Sequence, residues 1–171
     1  MNLKQFRIQK SKANSQRRWQ EQYLKNLPNE ISNFLASQPF FTTPEHDNLV
    51  DKYGIADIKD TKENQHYCEL FSPSKVLHIL NQLPNTDQSA WLMPLGYGFL
   101  HDSKGGLFEV PFNWAKNNSD ILWPSKTDSR DDYNLVTKDG STGILIESWS
   151  ASPIDKSNTG NIYGVRFWPS I

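Results

Sequence analysis

His66-Tyr67-Cys68 sets two metal-ligating side-chain types two residues apart. A zinc site needs three or four ligands, and the chain offers no CxxC or HxxxH partner. A buried cysteine on a strand is the better reading. His101-Asp102 falls in a turn, where loop-borne catalytic residues are common. No nucleophile stands beside it, so Asp102 is better read as closing the turn through its own backbone, with His101 solvated. Glu109 and Glu147 each alternate with apolar neighbours and could form a carboxylate pair in which one pKa is driven upward for acid catalysis. The same alternation marks the polar outer face of a sheet, which is preferred. GxSxG, P-loop, HExxH and GxGxxG motifs are all absent. The pattern argues against an enzyme and implies no cofactor or metal.

The remaining chemistry is that of surfaces. Residues 120–139 concentrate Asp120, Asp128, Asp131, Asp132 and Asp139, with Lys126, Arg130 and Lys138 among them. Their spacing fails the Ca²⁺ loop template, which needs oxygen ligands at alternate positions, a central glycine and a terminal Glu. The segment is either a solvated loop or an acidic recognition surface, and Trp123 and Trp149 would be its aromatic anchors. The candidate partner-binding residues are therefore Trp123, Asp128, Asp131, Asp132 and Trp149. At the other end, residues 1–35 hold seven Lys/Arg against Glu21 and Glu30, a net of +5, while the other 136 residues carry a net of −6. This is a basic arm on an acidic body. Basic residues with Trp19 and Tyr23 could grip phosphates and stack bases. The same Trp-Tyr-Leu stripe is also what a helix needs to dock on its own domain, so nucleic acid is the less favoured partner.

Certain elements must position these residues. Trp19, Tyr23 and Leu27 share one face of a helix expected over 15–27, which Pro28 ends. Asn29 is expected to cap a second helix with Ile31, Phe34 and Leu35 inward. Pro39 to Pro44 reads as a connector, and Glu45 to Tyr53 as a further turn or two of helix. Ser72-Pro73 starts a helix whose buried stripe is Val76, Ile79, Leu80 and Leu83. From residue 90 the period becomes two. A first hairpin pairs residues near 91–100 with 106–112, where Pro94, Gly96 and Gly98 point to an edge, a bulge or a close backbone approach. A second pairs residues near 132–138 with 143–149 across Asp139-Gly140. Tyr163, Val165 and Phe167 make a last strand. Helices followed by antiparallel hairpins specify an α+β fold.

At 171 residues the chain fits one domain, with 1–37 a basic helical segment and 38–171 an acidic α+β body. Aromatic residues make up 12%, enough to close a core although hydrophobic residues are only 36%. No run reaches the roughly 20 apolar residues that cross a bilayer. Met1 to Lys12 lacks the apolar stretch of a secretory signal, and Cys68 has no disulfide partner. The expected compartment is the cytoplasm, with no membrane contact.

A small, aromatic-rich α+β domain with an acidic body and no catalytic set resembles the immunity proteins that bacteria pair with contact-dependent or polymorphic toxins. The resemblance is one of profile across the chain, and no family motif carries residues over. It implies a stoichiometric module that neutralises a basic toxin domain by binding it. The basic arm departs from that profile. Two other functions compete: a small hydrolase using His101, Asp102 and a strand carboxylate, and a nucleic-acid-associated accessory protein acting through the arm.

Overall fold

The structure, a computed structural model, describes residues 3–44, 47, 63–94, 105–123, 125–126, 129–130, 132–150 and 161–169. Helix α1 (Leu3–Lys25) begins well before the expected stripe. Its first turns hold Lys, Arg, Gln and Ala without Gly or Pro, so they propagate a helix without needing an apolar period. The stripe docks as expected. Trp19 and Tyr23 stack at 5.1 Å, Tyr23 is buried, and Trp19 and Leu27 pack on the same core. The Tyr23 hydroxyl donates to the Leu122 carbonyl at 2.6 Å. Buried Gln16 fixes the helix a second time: its amide donates to the Gly105 carbonyl (3.1 Å) and accepts the Thr43 N–H (2.8 Å).

Asn29 opens α2 (Asn29–Ala36) and does not cap it. The cap position is Pro28, whose carbonyl takes the Ser32 N–H at 2.9 Å. Ile31 and Leu35 are buried as expected, and Phe34 stacks on Trp114 at 4.1 Å. The supposed connector contains β1 (Phe40–Phe41), a short strand paired with Phe108 and Leu107. The helix expected over Glu45 to Tyr53 lies outside the described residues, Asp47 apart. After β2 (His66–Leu70), α3 (Pro73–Gln82) starts where Ser72-Pro73 indicated. The Ser72 hydroxyl pairs with that of Ser74 at 2.7 Å and makes no cap bond.

The first hairpin joins β3 (Ser89–Met93) to β4 (Leu107–Pro111), with Trp91 opposite Glu109 and Leu92 opposite Phe108. β3 is not an edge: it lies between β4 and the strand Tyr133–Thr137, and Pro94 falls just past its end. Two short helices follow, α4 (Phe112–Asn117) and α5 (Ser119–Leu122), so Phe112 ends the strand run that was expected to include it. A separate ladder pairs β5 (Ser125–Lys126) with β6 (Ser129–Arg130). The second hairpin, β7 (Tyr133–Thr137) and β8 (Gly143–Ser150), turns at Gly140, whose φ of 76° needs glycine. Last comes β9 (Asn161–Trp168). Among the described residues the main sheet has seven strands in the order β1-β4-β3-β7-β8-β9-β2. Every neighbouring pair is antiparallel. The chain is an α+β protein.

Both faces of the sheet carry buried apolar side chains. One face carries the larger core, in which Leu92, Phe108, Leu135, Ile144, Ile146 and Val165 meet residues from helices α1 to α5. The other carries Trp91, Met93, Leu107, Val136, Leu145 and Trp168, with Phe41 and Tyr67 packed on them, and all of these come from strands. That is why β3 is apolar at consecutive positions: Ala90 and Leu92 face the helices, Trp91 and Met93 the opposite side.

Candidate functional site

Glu69, Gly164 and Glu147 form one row across three strands, because β2 and β8 both set these residues opposite Gly164 of β9. The row lies on the face of the second cluster, since Glu69 and Glu147 each stand two residues from a member of that cluster, Tyr67 and Leu145. Strands about 4.8 Å apart put the two carboxyl-bearing Cα atoms roughly 10 Å from each other. Asp132, immediately before β7, joins the same end of the sheet by accepting the Ser148 N–H at 2.8 Å. Three carboxyl side chains from distant parts of the chain thus share one end of the sheet.

The row is roofed by aromatics. A Cβ added at Gly164 would lie 2.6 Å from the Trp149 ring and 3.1 Å from the Tyr67 hydroxyl. Glycine therefore lets the indole lie on the backbone between the two glutamates. The Tyr67 hydroxyl donates to Glu69 Oε1 at 3.0 Å. Partial burial, then that hydrogen bond and the nearby Glu69 and Glu147 charges, hold the phenol well above its ordinary pKa. It stays a neutral donor. Arg166 is buried between Leu145 and Tyr67 in the adjoining row, on the same face.

Of the sequence-derived candidates, Trp149 and Asp132 are at this site. Trp123 is not: it is 1% exposed. It packs edge-on to Tyr163 at 5.5 Å and tilted to Tyr133 at 6.4 Å, so as a core ring it is no surface anchor. Asp128 and Asp131 lie outside the described residues, as do His101 and Asp102. Glu109 and Glu147 share a face but do not meet, since β3 and β7 separate their strands. Glu109 accepts from Lys138 Nζ at 2.8 Å instead. The Lys138 ammonium also sits 4.8 Å from the Trp91 ring centroid. Cys68 is on a strand but only half-buried, and its thiol pKa is pushed up by burial. Among the described residues no group of His, Cys, Asp and Glu could hold a metal ion. No described helix is long and apolar enough to cross a membrane.

Tyr67, Glu69 and Arg166 were missed from sequence. The signal was available in His66-Tyr67-Cys68-Glu69-Leu70, whose alternation puts Tyr67 and Glu69 on one face. Their meeting with Glu147 depends on β2 pairing with a strand almost a hundred residues later, which no local pattern encodes.

A family model built for the YokC prophage protein matches residues 1–162. The chain belongs to that family. No curated protein and no solved structure matches it.

Proposed function

We propose that this family member is a stoichiometric protein-binding module that neutralises a basic toxin domain, as immunity proteins do, through the acidic end of its sheet. The observation that carries the reading is the placing of Glu69, Asp132 and Glu147 at the end of the sheet that bears the half-buried rings of Tyr67 and Trp149. Interface energy concentrates in a few aromatic anchors, and clustered charge of one sign steers a partner of the other. Trp149 takes the anchor's place that Trp123 cannot fill.

The test is capture from the native host with the tagged chain, followed by kinetics on the recovered protein at two salt concentrations. The expected result is a basic protein whose toxic activity is abolished at one molar equivalent. Glu69→Lys/Glu147→Lys should slow association and flatten its salt dependence. Trp149→Ala should mainly raise the off-rate. An unchanged on-rate and salt slope in the double variant would move the interface elsewhere, and a recovered partner that remains active in the complex would end the toxin reading.

A further inference from the structure

The face of α1 turned away from the body is predominantly cationic, with Glu21 as the one carboxylate among its Lys and Arg side chains. Over Leu3–Lys25 the helix holds seven Lys/Arg against the single carboxylate of Glu21. At 100° per residue, Gln16, Trp19 and Tyr23 lie within roughly 60° of one another on the docked side. Lys4, Arg7, Lys10, Arg17, Arg18 and Lys25 occupy an arc of roughly 140° centred on the opposite side. All six are exposed, and none makes an ion pair among the described residues. Docking and the basic face therefore do not compete for the same residues, although both use the same helix.

We propose that this face binds the phosphate backbone of duplex DNA. Lys4 to Lys25 span about 32 Å, close to one turn of B-form DNA. A straight helix bare over half its circumference fits the B-form major groove and reaches the phosphates that border it, whereas the deep, narrow groove of an RNA duplex excludes it. Single strands are the poorer fit, because Trp19 and Tyr23, the rings that would stack on bases, are turned into the core. A membrane surface is poorer still. Leu3, Phe6 and Ile8 are exposed, but Ile8 lies roughly 140–160° round the helix from the other two, so they form no common apolar face. The proposal is independent of the toxin reading and uses the opposite charge.

The experiment measures fluorescence anisotropy of a labelled 20-base-pair DNA duplex of arbitrary sequence against the full chain, from 50 to 200 mM NaCl. Binding through about five phosphates should weaken roughly 500-fold over that range, a log–log slope of about −4.5. Arg7→Glu/Arg18→Glu should flatten the slope by about two and weaken binding at 50 mM salt by roughly tenfold or more. Arg7→Gln/Arg18→Gln, the milder pair, should flatten it equally. Thermal melts of both variants should match the wild type, since neither side chain touches the core. Glu69→Lys/Glu147→Lys should keep its DNA binding, which separates this surface from the acidic one. The proposal is overturned by no duplex binding at 50 mM salt, or by binding that the Arg7/Arg18 variants leave unchanged. Tighter binding to an RNA duplex, a single strand or anionic phospholipid vesicles overturns it as well.

Discussion

Gly164→Ala tests whether the roof of the acidic row is packed as described. Among the described glycines only Gly140 has positive φ, so Gly164 holds strand backbone that alanine also adopts. The constraint is steric. The new Cβ would stand 2.6 Å and 2.7 Å from two Trp149 ring atoms and 3.1 Å from the Tyr67 hydroxyl. Carbon contacts are comfortable near 3.5 Å, so the indole must retreat by about 0.9 Å. Overpacking of that order costs about 1–3 kcal/mol. Against it, alanine restricts the unfolded chain and stabilises by about 0.4–1 kcal/mol. The steric term wins, leaving a net loss of about 1–2 kcal/mol and a fall in Tm of about 3–6 °C. Removing the ring removes the clash, so in a Trp149→Ala background the same substitution should be neutral or stabilising. Urea denaturation of the four proteins in this cycle supplies the coupling energy. An equal loss in both backgrounds would refute the placement of Trp149 over Gly164.

Two further outcomes follow from single groups. The Tyr133 hydroxyl is buried without a hydrogen-bond partner, and burial drives its pKa far up. Tyr133→Phe should therefore stabilise by about 1–2 kcal/mol in denaturant titrations, and a clear destabilisation would mean that the hydroxyl is satisfied. Asp139 accepts from the Ser141 N–H, Gln88 Nε2 and the Thr137 hydroxyl. These bonds, the backbone one foremost, hold its carboxyl well below the usual range. A folded pKa lowered from about 3.9 gives stability that is present above pH 4 and lost as pH falls further. Asp139→Asn should flatten the acid limb of Tm against pH below pH 4, and an unaltered limb would count against these bonds.

The elements legible in the sequence were those with a local signal. Ser72-Pro73, the stripe Val76-Leu80-Leu83 and the Asp139-Gly140 turn each carry their own cause within a few residues, and α3 and the β7–β8 hairpin stand where these put them. α4 and α5 were overlooked although Phe112, Ala115, Ser119 and Leu122 repeat at helical spacing and all are buried. The alternating run that leads into Phe112 masked the change of period. Trp123 was misjudged because its charged neighbours imply a surface, whereas a ring one residue past α5 is drawn into the core by Tyr133 and Tyr163. The acidic site was half legible: Glu147 and Trp149 share a face by simple alternation. Tyr67, Glu69 and Arg166 reach them only through strand order, a property of the whole chain.

That strand order has a consequence for self-association. β4, β3, β7, β8 and β9 all come from residues 89–168, and the two strands that flank them, β1 and β2, both come from the first 70. The early part of the chain thus supplies the two ends of the ladder, and its ends are poor templates. β1 is two residues long, and β2 carries His66 and Glu69 exposed along it. Short strands and charged side chains at an edge discourage another chain from adding a strand. A chain cut back to residue 89 would instead offer the backbone donors and acceptors of β4 and of the eight-residue β9 at its two flanks. The fragment would tend to propagate end to end into fibrous aggregates, so the first 70 residues act as stoppers that keep the sheet finite.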